Sequence, residues 1–522
     1  MLLENDLKLI KQKGISIDAI NQQIELFKKG TQYLNITQPA IISCGISKLS
    51  DSALKKAGKK FEKESRKLNM IKFVPASGAA TRMFKHLYEF KKHYKESPDR
   101  VLGLLADREF NSPYYFFENL ANFAFINDLA THIHKKGGSI DSFVKDKRYG
   151  RILSALLGKK GMNYGNLPKG LIKFHKYNDF SRSAVEEHLV EAANCCKCSK
   201  KRINVHFTVS EEHIKLFQQH IDNKYTRFEK IFDVKYNITL STQDSSTNII
   251  AVNTDNEVAR DEDGNLIFRP GGHGSLIKNL NSIDADIIFI KNIDNVVTDD
   301  KKNETFVYKK ALAGVLINIQ KTIHNYMKKA QDKSGADKNF INKILKFIVK
   351  ELNILPPKDI SNWDNDKKLD YIKTKLNRPI RVCGMVENED EPGGGPFLVE
   401  NSDMSHSLQI VERNQIKLKD KKQLNILSNA THFNPVDIVC STKDYNGDKF
   451  DLTKFVDYNS CLISEKSYGD QKIKALEHPG LWNGGMSDWI TIFIEVPIIT
   501  FNPVKIINDL LREEHLILAK KH

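Results

Sequence analysis

Apolar residues recur at three- and four-residue spacing near the start of the chain. Leu7, Ile10, Ile15, Ile20, Ile24 and Phe27 share one face over two segments, with Gly14 between them. That spacing predicts two amphipathic helices, and residues 1–68 as a whole read as helical. A short apolar run of strand type follows at 71–74. Residues 84–160 carry Tyr, Phe and Leu at helical spacing and read as a long helical stretch, closed by a Gly- and Asn-rich break at 161–166. Strands and helices then alternate. INVHFTV (203–209) reads as a strand, SEEHIKLFQQHI (210–221) as a helix capped by Ser210 with acids in its first turn, and VKYNITLST (234–242) as a strand. NTDNEVARDEDGNLIF (253–268) reads as a hairpin around an Asp-Gly turn. IIFIKNI (287–293) is a buried-type strand ending at Asp294, and 306–352 is helical apart from the polar AQDKSGAD. From Arg378 onward β patterns dominate.

Strand–helix alternation in the middle of the chain predicts an α/β fold with a largely parallel sheet flanked by helices. The expected organisation is a helical N-terminal segment (1–68), an α/β core (69–330) interrupted by the helical insertion 84–160, a helical connection (331–377), and a β-rich part (378–522) that completes the core. A length of 522 residues suits two or three domains or one elaborated domain.

Composition narrows the function classes. Hydrophobic residues make up 40% and charged ones 28%, a globular balance. No segment reaches the apolar length that spans a bilayer. The opening MLLENDLKLIKQKG places acids among its first residues and lacks an apolar stretch of signal-peptide length, so a cytoplasmic location without membrane partners is expected. A net charge of +15 suits a polyanion, but no helix-turn-helix, RNP or zinc-finger pattern accompanies it, and no nucleic-acid partner is expected. Of 7 cysteines, Cys195, Cys196 and Cys198 cluster in NCCKCSK without the paired Cys-x-x-Cys arms of a zinc site, so reduced cysteines near a helix end are expected.

Five segments carry chemistry. In KFVPASGAATRMF (72–84) a strand runs into small residues, Ala76 to Ala80, and then into Thr81 and Arg82 at a helix start. Unpaired N–H groups at such a turn accept an anion, small side chains let it approach, and Arg82 adds charge. The same pattern also describes an ordinary strand-to-helix turn. LPKGLIKF (167–174) sets Lys169 beside Pro168 and Gly170, where an ammonium reaches a phosphate, though a surface lysine in a turn reads alike. FRPGGHGSLIKNL (268–280) opens a Gly-rich loop around His273 whose amides suit the edges of a base or sugar. Asp294 and Asn295 end an apolar strand, where α/β sheets collect ligands and an Asp suits Mg2+ held on phosphates, or caps a helix. FNPVKIINDLL (501–511) places Lys505 after a Pro turn.

Together and in this order the five resemble the UTP-dependent sugar-1-phosphate uridylyltransferases, the UDP-sugar pyrophosphorylases of eukaryotic type. PASGAATRM resembles that family's Gly-rich signature, LPKGLI its Pro-Lys-Gly segment, RPGGHGS its Pro-Pro-Gly-His-Gly-Asp loop, NIDNV its Val-Asp-Asn segment and FNPVKIINDLL its Phe-Leu-Pro-Val-Lys segment. The whole chain also resembles an uncharacterised bacterial family of unknown function. The first resemblance implies a nucleotide-diphospho-sugar transferase (GT-A-like) fold and a reaction of a nucleoside triphosphate, UTP foremost, with a sugar 1-phosphate to give NDP-sugar and pyrophosphate.

By position, it implies that Ala76, Ser77, Gly78, Ala79, Ala80 and Thr81 cradle the triphosphate with Arg82, and that Lys169 and Lys505 contact phosphate. Gly272, His273 and Gly274 would face the base and ribose with Gln243, and Asp294 would ligate Mg2+. Asn429, His432 and Asn483 lie in late segments that suit the sugar side, with Asp488 as a second candidate metal ligand. Ser77 and Ala80 replace family glycines, Ser275 replaces an Asp, and 84–160 stands where the family has a short connection, as a lid, a partner site or added core. A GT-A glycosyltransferase using a finished NDP-sugar, and a non-catalytic nucleotide-sugar-binding protein, are the alternative readings.

Overall fold

A computed structural model describes residues 2–78, 80–96, 103, 105–198, 201–331, 337–389 and 393–517. The chain forms a mixed, mostly parallel α/β arrangement divided into two units. The first contains residues 1–71, 243–290 and 308–498; the second contains 72–242, 291–307 and 499–522. Each is built from three separate stretches of sequence.

In the first unit the apolar stripe at the start of the chain folds as predicted, into helices Glu4–Gln12 and Ile17–Lys29. Ser16 caps the second by accepting from the Ala19 N–H at 3.1 Å. Ile10, Ile15, Ile20 and Phe27 bury against Ile249, Ile250, Leu266 and Leu476. Arg260 adds a two-pronged ion pair to the buried Asp6, at 2.9 and 2.7 Å. The helical expectation fails at 36–47, where strands Ile36–Pro39, Ile41–Ile42 and Gly45–Ser47 precede the expected helix Asp51–Ser65. The first of these pairs antiparallel with Gly394–Glu400, a partner about 360 residues away that local spacing does not reveal.

The main sheet of this unit runs Ile41–Ile42, Gly45–Ser47, Ile490–Glu495, Ile380–Glu387, His432–Ser441, Ile287–Ile290. Ile380–Glu387 is parallel to Ile490–Glu495, which is parallel to Gly45–Ser47. His432–Ser441 runs against both its neighbours. Glu387 and Glu495 therefore end their strands at the same edge at which His432 begins its own.

In the second unit, strand Met70–Pro75 (from Lys72 onward) neighbours Arg202–Val209, which pairs in parallel with Lys235–Thr242. Helices Ala184–Cys195 and Ile214–Phe232 belong to this unit. Among the described residues the stretch 84–160 is mostly helical as expected, in the pieces Lys85–Glu96, Pro113–Glu118, Ile126–His134, Ile140–Lys145 and Tyr149–Leu157. Its aromatic residues, including Phe84, Phe90, Phe116, Phe123 and Phe125, join one core with sheet residues Val74, Val205 and Phe207. That is what a segment adding core does: it buries its apolar face against the sheet rather than presenting it to solvent. Among the described residues no helix is long and apolar enough to cross a membrane.

Candidate functional site

The second unit ties four of the five chemistry-bearing segments together through main-chain hydrogen bonds. The Lys169 N–H donates to the Gly78 carbonyl at 3.2 Å, and the Ala80 N–H to the Leu167 carbonyl at 3.2 Å. Ile507 N–H reaches Met83 O at 3.0 Å, Ile293 N–H reaches Pro75 O at 3.4 Å, and Val504 N–H reaches Asp294 O at 3.3 Å. The cradle, the Pro-Lys-Gly turn, the turn that carries Asp294 and the Lys505 segment thus fix one another's position; the strand before Asp294 ends earlier than the apolar run suggests, at Ile290.

At their meeting point the Lys169 ammonium donates to Asp294 Oδ2 at 2.8 Å and to the Val504 carbonyl at 2.7 Å. Both side chains keep some access to solvent, at 15% for Lys169 and 20% for Asp294. Lys505 is exposed one residue beyond Val504. Its main-chain N–H and that of Ile506 both donate to the buried carboxylate of Asp509, at 2.7 and 2.8 Å. Asp509 in turn accepts from Arg512 Nε at 3.0 Å. Asp509 is a positioning residue that motif reading passed over, although the acid four residues after Lys505 was in view.

The cradle itself is open. Ser77, Gly78, Thr81 and Arg82 are exposed, and a methyl placed on Gly78 would meet nothing within 4 Å. Ala79 lies outside the described residues. The turn tightens into a 3-10 segment at Ala80–Arg82 before the α-helix begins at Lys85. The Ala80 methyl is fully buried in the core with Met83 and Phe84. Ala76 is buried as well, so two of the small residues of this turn pack inward while Ser77 and Gly78 face solvent.

The first unit carries the remaining candidates. Gly272 adopts φ +76°, a conformation that favours glycine. Gly274 lies so close to the next segment that a methyl there would stand 2.0 Å from the Pro479 carbonyl oxygen. His273 packs edge-on against Trp482 with ring centroids 4.2 Å apart. Gln243 donates to Thr247 Oγ1 at 3.3 Å. Asn429 closes helix Lys421–Ser428 and donates to the Asn425 carbonyl at 2.8 Å. Asn483 is buried and donates to Glu412 at 2.5 Å. Asp488 pairs with the Arg378 guanidinium, and burial pushes its carboxyl above the usual range.

His432 gathers partners that motif reading missed. Its Nδ1 lies 2.8 Å from Thr431 Oγ1, while Nε2 is buried without a hydrogen-bond partner. Burial lowers its pKa, opposed by the nearby carboxylates of Glu495 and Glu387. Glu495 also accepts from Lys48 at 2.9 Å. These groups stand where three strands of the sheet meet one edge, a signal that needs the topology and is invisible in the linear sequence.

A buried polar network in the second unit was also unforeseen. Glu187 accepts from His175 at 2.9 Å, Tyr177 at 2.8 Å, Lys302 at 2.5 Å and Arg182 at 3.3 Å. Arg182 and Lys302 bridge on to Asp299, each at 2.7 Å. His175 Nε2 meets His515 Nδ1 at 3.0 Å. Burial opposes the Glu187 charge, but Lys302, His175 and Arg182 outweigh it and hold its carboxyl well below the ordinary range. Burial keeps both histidines neutral-leaning, His515 most strongly. Cys195 ends the helix Ala184–Cys195.

The chain is similar in structure to a uridine diphosphate N-acetylglucosamine pyrophosphorylase from Trypanosoma brucei, with 11% identity, a TM-score of 0.47, and coverage of 93% of this chain and 71% of the other. It is also similar to a UDP-glucose pyrophosphorylase variant from Leishmania major bound to UDP-glucose, at 12% identity and a TM-score of 0.42, covering 97% and 77% of the two chains. A UDP-glucose phosphorylase from Trypanosoma brucei gives 13% identity and a TM-score of 0.41 over the same shares, 97% and 77%. No curated protein matches by sequence. Residues 3–516 match the family described as domain of unknown function DUF4301, and the chain belongs to that family.

Proposed function

We propose that the protein is a sugar-1-phosphate nucleotidyltransferase of GT-A-like fold, joining a nucleoside triphosphate, UTP foremost, to a sugar 1-phosphate with release of pyrophosphate. The observation that carries this reading is the locking of four sequence-distant segments in the second unit around Lys169 and Asp294. Structural turns do not need an ammonium, a carboxylate, an exposed arginine and an exposed small-residue loop held in common; polyphosphate chemistry does.

In the proposed reaction a phosphate oxygen of the sugar 1-phosphate attacks the α-phosphorus of the triphosphate in line. The bond from that phosphorus to the bridging oxygen breaks, and pyrophosphate leaves with the electron pair. The exposed loop residues Ser77, Gly78 and Thr81 are assigned to the phosphates together with Arg82. Lys169 exchanges part of its contact with Asp294 for the departing charge, and Lys505 supplies a second ammonium. Asp294 suits Mg2+, which is commonly held by one or two carboxylates together with substrate phosphates. Among the described residues no group of three or more His, Cys, Asp or Glu could hold a metal ion by itself. When bound, the ion would neutralise phosphate charge. In the first unit, Gly272, His273, Gly274 and Gln243 are assigned to the base and ribose. His432, Asn429 and Asn483 are assigned to the acceptor sugar, with Glu387, Glu495 and Lys48 around His432.

The test is pyrophosphate release from each nucleoside triphosphate with a panel of sugar 1-phosphates in the presence of Mg2+. Turnover with at least one pair is expected. Absence of pyrophosphate from every pair, with UDP-sugar still bound, would overturn transfer and favour a glycosyltransferase or a binding protein.

A further inference from the structure

The first unit contains a cavity of about 600 Å³ whose lining shares only Gly274 with the residues assigned to the nucleotide and sugar. Helix Ile17–Lys29 forms one wall through Ala19 and Leu26. Ile277, Val456, Tyr458 and Leu476 form the apolar remainder. The floor includes Gly274, Ser275 and Thr247, but neither His273 nor Trp482 lines it. It therefore opens on a face of the Gly-rich loop other than the one His273 presents.

Two features point to an occupant. The first is Ser275, whose side chain is 1% exposed and whose hydroxyl has no hydrogen-bond partner among the described residues. A buried hydroxyl is rarely left unpaired, because its desolvation is uncompensated. Beside it His478 Nε2 donates to the Thr247 carbonyl at 2.9 Å, which leaves Nδ1 as an acceptor. The second is the charge of the lining. Its charged residues are Glu25, Lys29 and Lys278. Glu25 is engaged by Lys28 at 2.9 Å. Lys278 donates to Ser246 Oγ at 2.6 Å with Asp244 at 4.0 Å, and Lys29 is exposed at the end of its helix. The helix C-terminus favours a cation at that position, and with Lys278 it makes the charge at the cavity net positive.

We infer that this cavity is a ligand site for a ring-bearing organic anion, its rings against Leu26, Ile277 and Leu476, its acidic group toward Lys29 and Lys278, and a polar ring substituent on Ser275 Oγ. Volume and an apolar wall with few polar groups are those of small-molecule sites. The pocket itself does not depend on the nucleotidyltransferase reading; only the consequence that its occupant touches the loop assigned to the base rests on that reading.

The probe is anilinonaphthalene sulfonate, titrated into the full chain by fluorescence, with phenylnaphthylamine as the same rings without the anion. Saturable binding at one site per chain is expected, about tenfold tighter for the sulfonate than for the uncharged analogue. Leu26→Trp fills the cavity and should weaken both probes at least about tenfold. Lys29→Glu changes an exposed residue, so folding is not at stake, and it should erase the preference for the sulfonate while sparing the uncharged probe. The proposal is overturned if wild type shows no saturable binding, or if Lys29→Glu leaves the preference intact. It is equally overturned if a Leu26→Trp chain with the wild-type melting midpoint binds both probes as before.

Discussion

Lys169 holds two acceptors at once, a carboxylate and a carbonyl, and this decides what its removal should do. Lys169→Met should lower kcat by roughly 100-fold, about 3 kcal/mol of transition-state stabilisation, if the ammonium meets the departing pyrophosphate. A purely structural lysine would instead change the melting midpoint and leave kcat near wild type. Lys505 is exposed, so Lys505→Ala should lower kcat far more than it disturbs folding; an unaltered kcat with a lost melting transition would refute its role. Gly274→Ala is the reverse case. Its methyl would collide with the Pro479 carbonyl, so destabilisation of about 2 kcal/mol or more is expected by denaturant unfolding. His206 gives the pH prediction at this scale. Burial lowers its pKa from 6.5 to about 4, while its ring bonds Thr239 and Ser241 at 2.8 Å each. The unfolded chain takes up this proton first on acidification, so stability present above pH 6.5 is lost as pH falls toward 4, by up to about 3 kcal/mol. His206→Gln should flatten the melting-temperature profile over that window, and an unchanged slope would refute the assignment. Glu187 acts in the same sense below its ordinary carboxyl range, since its depressed pKa makes acid unfold rather than stabilise it.

Among elements, periodicity was most readable where one face is buried by neighbours of any identity. The pair Glu4–Gln12 and Ile17–Lys29, the strands near 203–209 and 234–242, and the helical stretch 84–160 follow from spacing alone. Strands at 36–47 did not, because short strands carry few alternating positions and their partners lie hundreds of residues away. The same limit applies to the chemistry. Lys169, Asp294 and Lys505 stood out because each sits in a turn of unusual composition, and the structure brings their segments together. Glu387, Glu495 and Lys48 sit at strand ends with ordinary neighbours, so only the order of strands gathers them around His432. Glu187 and its partners were hidden for another reason: a buried charge is recognised by what surrounds it, and its surroundings come from residues 175–182, 299–302 and 515. At this scale Phe27→Ala should cost about 3–5 kcal/mol, since the ring is 3% exposed in a core made from the N-terminal helices and the strands beneath them.

For the molecule as a whole, neither unit is a continuous piece of chain. The second unit needs 499–522 as well as 72–242, because Val504, Ile507, Leu510 and Leu511 complete its core. A chain ending at residue 498 should therefore lose hydrogen-exchange protection across 72–242; full protection there would show that the last segment is dispensable. The carbonyl that anchors Lys169 lies 335 positions downstream in the chain. At translation rates of about 5–20 residues per second, Lys169 waits roughly half a minute on the ribosome before its partner exists. Until then the ammonium lacks the Val504 carbonyl, and Asp294 itself follows only 125 positions after Lys169. Under the proposed function, nucleotide handling would therefore require the chain through Val504, and a product truncated before it is expected to bind neither triphosphate nor sugar phosphate.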